Sequence, residues 1–237
     1  MEEKYRILED LLYFVPKPIL TLAKKHMLFD LILDGQIQDS ASLYEHVPEW
    51  MLAFQDADYS ELAMSMLPIL QPGTVVEIGC GQGDLMRRLA SLGVKPVYGI
   101  DRSLGMVKAA RKKLDEFKEV EVFHSRVEDF NFSPLGSLAN VIMNNFWGLL
   151  PTNASFELLC RLKEHMEPNG KIAIGDCREK IKSDYVVEAE RRAAEEMNFI
   201  ISYPLFMDFE KCGYHSECVS LAGGEFIVLT LPRSTEG

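Results

Sequence analysis

Eleven consecutive residues, Val75-Val76-Glu77-Ile78-Gly79-Cys80-Gly81-Gln82-Gly83-Asp84-Leu85, constrain the fold more than any other part of the chain. Val75, Val76 and Ile78 are apolar and β-branched, as expected of a strand covered on both faces. Gly79, Gly81 and Gly83 follow at alternate positions. Lacking Cβ atoms, they permit a sharp turn and a close approach of backbone to another group. Beyond the turn, Leu85, Met86, Leu89 and Ala90 mark one face of a helix. The stretch therefore reads as strand, tight turn and helix.

The pattern continues after it. Val97–Asp101 reads as a second strand, Leu104–Lys118 as a helix and Val120–His124 as a third strand. Asn140–Asn144 is a fourth, followed by a helix at Ala154–Met166, a turn at Glu167–Gly170 and a fifth strand at Lys171–Asp176. A charged amphipathic helix is expected over Ser183–Met197. The pattern ends in a β-hairpin, His215–Leu221 and Glu225–Leu231, around Gly223-Gly224. Alternating strands and helices predict a parallel sheet. Residues 1–70 carry helical patterns instead, at about 7–12, 19–33, 40–46 and 57–70, broken by Pro16 and Pro18. The expected architecture is α/β: a Rossmann-like doubly wound seven-stranded sheet, mostly parallel with a C-terminal antiparallel hairpin. The helical cap is assigned to 1–70 and the sheet domain to 71–237.

Net charge is -11. Such acidity argues against phosphate backbones and anionic membranes as partners. Lys108, Arg111, Lys112 and Lys113 cluster, but on a predicted helix, where they read as its solvated face. The five cysteines, at 80, 160, 177, 212 and 218, are odd in number and show no CxxC spacing. A reducing, cytoplasmic location is therefore expected, with no disulfide framework and no metal centre. No apolar run approaches the roughly 20 residues of a membrane span.

Asp101 closes the second strand, 22 residues after Gly79. In a doubly wound sheet a carboxylate there reaches the ribose hydroxyls of an adenosine held at the first turn. The alternative is a helix N-cap. Taken together, the motifs resemble those of class I methyltransferases that use S-adenosylmethionine. Glu77 stands two residues before Gly-x-Gly-x-Gly, and Tyr98-Gly99-Ile100-Asp101 matches the second motif, with Ser103 and Met106 behind it. Ser125–Phe130 falls where that family has its adenine loop. Asn140–Leu150 matches the segment after the fourth strand, and Leu162–Ile172 the turn before the fifth.

The resemblance covers about 70–231 and implies S-adenosylmethionine as cofactor. It also implies a binding set: Glu77, Gly79, Cys80, Gly81, Gly83, Asp101, Arg102, Met106, Val127, Glu128 and Asn144. Glu77 would support the cationic methionine part. An acid beside the loop gives no help to a pyrophosphate, and the spacing is not the dinucleotide G-x-G-x-x-G. Two positions depart from the pattern. Arg126 replaces an acid in the adenine loop and reads as a solvated residue; the contact then falls to the Val127 backbone or to Glu128. Asn140 replaces an acid at the fourth strand.

Methyl transfer from a sulfonium needs chiefly positioning and desolvation. No catalytic base is assigned. Asn144, Asn145, Trp147 and Asp176 are the candidates near strand ends, with Trp147 read first as core packing. A small organic acceptor is expected, with no nucleic acid or membrane partner and a monomeric or homodimeric state. Tyr13, Phe14, Trp50, Phe54 and Tyr59 would form an aromatic lid or a core. The alternatives are a non-enzymatic S-adenosylmethionine-binding protein and a nicotinamide-dependent oxidoreductase.

Overall fold

In the computed structural model, the residues described are 59–147, 150, 152–175, 209–222 and 224–232. They fall within one compact unit formed by 55–177 and 203–237. The helices expected before residue 57, the helix at 183–197, Asp176 and four of the lid aromatics (Tyr13, Phe14, Trp50, Phe54) lie outside the described residues.

Seven strands form one sheet: β1 (Val75–Ile78), β2 (Val97–Asp101), β3 (Val120–His124), β4 (Leu138–Asn144), β5 (Met166–Gly175), β6 (His215–Leu221) and β7 (Gly224–Thr230). Their order is β3-β2-β1-β4-β5-β7-β6. The first five are parallel, while β7 runs antiparallel to both β5 and β6. The order reverses beside β1. Ligands of open α/β sheets bind at such a switch point, outside the carboxyl ends of the strands.

Four helices are described: α1 (Ser60–Met66), α2 (Asp84–Ser91), α3 (Leu104–Leu114) and α4 (Thr152–His165). The two-residue period of the strands divides the core. Val76, Ile78, Val141, Met143, Ile172 and Ile174 share one face with Leu158, Leu159 and Leu162 of α4. Val75, Ile142 and Ala173 share the other with α1, α2 and α3. Both faces are covered, which is why these strands are apolar runs rather than alternating ones. Among the described residues, no helix is long and apolar enough to cross a membrane.

Three elements differ from the sequence reading. α3 stops at Leu114 rather than Lys118, because Phe117 N–H turns back to the Leu114 carbonyl at 2.9 Å. β5 begins at Met166, so the expected turn at 167–170 lies inside it. Leu138 pairs with Met166 and Asn140 with Lys171, and the four intervening residues form an irregularity opposite Ala139. Lys113 is not part of a solvated face: it is mostly buried and paired with Asp84 at 2.5 Å, tying α3 to α2. α1 falls in the segment assigned to the cap. Leu62, Ala63 and Met66 bury against the sheet domain's core, and the Ser65 hydroxyl accepts from Ala222 N–H at 3.1 Å.

Candidate active site

β1 delivers Glu77 to the same face as Val75, beneath the start of α2. The side chain is buried. One interaction comes from the Met86 backbone N–H, but Oε2 has no hydrogen-bond partner among the described residues. Burial pushes this carboxyl well above the usual range. The neighbouring Asp84 and Asp101 push the same way, and the Met86 bond opposes them. Tyr59, just ahead of α1, faces the same negative charge: burial raises its phenol first, then Glu77 and Asp84.

The glycines beyond β1 serve different ends. A Cβ on Gly79 would run into the Phe146 ring. One on Gly83 would stand 2.7 Å from Leu114 Cδ1 and 3.3 Å from Ala110 Cβ, so Gly83 lets α3 come close. Gly81 is the open one: with φ +52°, a Cβ there would meet nothing within 4 Å. Cys80 is buried, and its Sγ lies 3.8 Å from the Gly81 carbonyl. Burial, then Asp101 and Glu77, hold its thiol well above the ordinary value, which leaves it un-ionised and inert.

Asp101 joins the two loops. Its Oδ2 accepts from Gly81 N–H at 2.9 Å and its Oδ1 from Ser103 N–H at 2.8 Å. Ribose contact and helix-start bracing are therefore not exclusive, since each carboxylate oxygen keeps acceptor capacity. The N-cap of α3 is Ser103, whose hydroxyl accepts from Met106 N–H at 3.4 Å. Burial raises the Asp101 carboxyl, opposed by those two N–H bonds and by Arg102 and His124. Arg102 is half-buried, and its carbonyl lies 3.0 Å from His124 Nε2. Met106 is buried.

β3 ends beside Asp101, where Ser125 N–H donates to the Asp101 carbonyl at 3.0 Å, and the loop that follows carries Val127 and Glu128. Val127 is buried and Glu128 exposed. Arg126 is exposed and near Glu128 (3.4 Å) and Asp129 (3.9 Å), in keeping with a solvated residue. Sequence reasoning missed the residue that braces this loop. Arg161, on α4, donates to the carbonyls of Val127 (3.0 Å), Glu128 (2.8 Å) and Phe130. Only the helical period of α4, which leaves a lone arginine among leucines, hints at it.

At the end of β4, Asn144 is half-buried and in register with Gly175. Asn145 follows with φ +55°, among the described residues the one non-glycine with positive φ. Asparagine tolerates that region better than most residues. The turn brings Phe146 against Gly79, a contact the sequence did not suggest. Trp147 is fully buried, with its ring 6.3 Å from Phe209, and so packs in the core as expected. Its Nε1 has no partner among the described residues. Asn140, the second departure from pattern, is buried. Its amide accepts from Gln71 N–H at 2.8 Å and donates to the Gln71 carbonyl at 2.7 Å.

These residues fit a cationic, adenosine-bearing cofactor. A buried carboxylate oxygen without a partner calls for a positive group. The open side of Gly81 leaves room beside it. A polar depression of about 620 Å³, lined by Gln71, Asn169, Lys171, His215, Thr230 and Leu231, lies at the opposite strand ends, away from these groups.

Residues 75–170 match the family model described as a methyltransferase domain. Those residues carry a methyltransferase domain. The chain is 35% identical over 100 residues to the ribosomal protein L11 methyltransferase of Caldanaerobacter subterraneus subsp. tengcongensis, covering 40% of this chain and 31% of that protein. It is 27% identical over 174 residues to the tRNA U34 carboxymethyltransferase of Mannheimia succiniciproducens, covering 70% and 52%. The chain thus spans about a third to a half of the length of these curated relatives. In fold it is similar to the glycopeptide N-methyltransferase MtfA, solved with S-adenosylmethionine: TM-score 0.57, 14% identity, 75% of this chain and 96% of that one. Of the readings made from the sequence, the methyltransferase one agrees with the family model.

The expected partners need correction. A small-molecule acceptor with nucleic acid excluded does not agree with relatives named for a ribosomal protein and for tRNA. The exclusion rested on net charge and on Asn144-Asn145-Phe146-Trp147 not being an Asn-Pro-Pro-aromatic motif; net charge averages over the whole surface, whereas partners meet local fields. Residues 84–114 contain eight Lys and Arg against two Asp, inside a chain of net charge -11. Arg87, Lys108 and Lys112 among them are exposed.

Proposed function

We propose that this methyltransferase acts on a macromolecular acceptor, RNA in the first reading, with Glu77, Gly81 and Asp101 at the centre of its cofactor site. The observation that carries the site is the buried Oε2 of Glu77, without a hydrogen-bond partner among the described residues, beside a glycine turn tied to Asp101. When bound, S-adenosylmethionine supplies a methyl group already activated for displacement, so the protein's task is positioning and exclusion of water. Glu77 offers negative charge to the methionine end. Asp101 holds the Gly81 backbone in place and offers its remaining lone pairs to the ribose. Val127 and Glu128 are assigned to the base. Gly79, Cys80, Gly83 and Met106 act by packing, which sets the shape of the turn and the start of α3. Arg102 contributes charge beside Asp101, and Asn144 stands at the carboxyl end of β4, where the acceptor would enter. The exposed basic residues of α2 and α3 favour RNA; the relative named for ribosomal protein L11 favours a protein.

The test has two steps. Calorimetry with S-adenosylhomocysteine should show binding; none at millimolar concentration sinks the cofactor site. Tritiated methyl transfer from S-adenosylmethionine to total tRNA, and separately to ribosomal protein, then reads the acceptor. Label in the protein fraction alone replaces RNA by protein, and label in neither overturns the macromolecular reading.

A further inference from the structure

We infer that Arg161 is the positioning residue for base recognition: it occupies the carbonyls of the loop after β3, so that this loop meets the cofactor's base with N–H groups. The inference rests on the cofactor site proposed above. Arg161 spans from α4 to three carbonyls of one short loop, those of Val127, Glu128 and Phe130. Its guanidinium also lies over the Phe132 ring, 5.5 Å from its centre. The Val127 carbonyl receives a second bond from Phe130 N–H at 3.3 Å. A carbonyl has two lone pairs, so that oxygen is filled and cannot accept from a base amino group. Within the loop, Asp129 N–H donates to the Arg126 carbonyl at 3.2 Å. Among the described residues, the amides of Arg126, Val127 and Glu128 have no acceptor, and they are the donors that remain for a base.

A site that presents N–H donors selects a base whose ring nitrogen accepts. Adenine N1 is such an acceptor; hypoxanthine N1 carries hydrogen and is a donor. Arg161 thus decides which edge is read without touching the cofactor, and it does so from the helix that follows the acceptor-side strand β4.

The experiment compares R161K and R161M with wild type for binding of S-adenosylhomocysteine and of its hypoxanthine counterpart, S-inosylhomocysteine, with a thermal melt of each protein. Lysine keeps the charge and stem but loses the fork. Wild type should prefer the adenine ligand. R161K should bind it roughly tenfold or more weakly, the scale of losing charge-assisted hydrogen bonds, and the preference should fall towards one. Unchanged affinity and preference in folded R161K would overturn the inference while leaving the cofactor site standing. An equal loss for both ligands would overturn it too, since it would mark Arg161 as a fold brace only. Should R161M not fold, R161K decides. If wild type binds neither ligand, both the inference and the site it rests on fall.

Discussion

Gly81 N–H donates to Asp101 Oδ2 across 2.9 Å, joining the turn after β1 to the end of β2. The other oxygen of the same carboxylate takes Ser103 N–H. One side chain therefore sets the shape of both loops, and its loss is felt twice. D101A should lower stability by about 1–3 kcal/mol, through two backbone donors left without their acceptor, and weaken S-adenosylhomocysteine binding as well. D101N keeps one acceptor and should fall between. Melts and calorimetry on the two variants check this; unchanged binding in folded D101A removes Asp101 from the site.

The glycines separate binding from stability. G81A adds a methyl group where nothing stands within 4 Å, at a backbone angle that costs roughly 1–2 kcal/mol for an L side chain. It should melt only slightly early and lose affinity for S-adenosylhomocysteine. G83A drives a methyl group towards Leu114 and Ala110 at φ +75°, and should lose stability by more than G81A. The contrast is read by measuring melting temperature and dissociation constant on both.

Glu77 predicts a pH dependence. Burial holds its folded carboxyl well above the ordinary carboxylate range, so over that interval the folded state holds a proton that the unfolded state has lost. Stability from this group is present below the unfolded value and is lost as pH rises towards the folded one. E77Q removes that loss. The melting temperature of E77Q minus that of wild type should therefore grow from pH 4 upwards and level off once Glu77 ionises. A flat difference between pH 4 and 9 contradicts the assignment. S-adenosylmethionine should narrow the gap at high pH, because its positive groups favour the ionised carboxylate.

Asn140 should matter to the fold alone. Its amide matches both the donor and the acceptor of Gln71. N140D turns the donor into an acceptor facing the Gln71 carbonyl, which should cost about 1–3 kcal/mol by urea unfolding. Binding of S-adenosylhomocysteine should be unaffected at a temperature where the variant is folded.

Local chemistry made much of this legible in advance. β2 and β3 have the bounds read from their sequence, and the glycine turn sits where its spacing puts it. The departures come from contacts between distant residues. The end of α3 depends on Phe117 turning back, and the course of β5 depends on pairing with Leu138. Arg161 reaches a loop more than thirty residues away, which no local pattern encodes. Lys113 looked like its exposed neighbours until α2 brought Asp84 beside it. The exclusion of nucleic acid failed for a different reason: net charge averages over a surface on which α2 and α3 expose several basic residues.

The strand order has a consequence for synthesis. β6 is made before β7, yet β7 is the strand that links it to the rest of the sheet. While the chain is being translated, β1 to β5 can pair as they emerge, but β6 has no hydrogen-bonding neighbour until residues 224–230 have left the ribosome. That wing of the sheet can be completed only once β7 has emerged to pair with both β5 and β6.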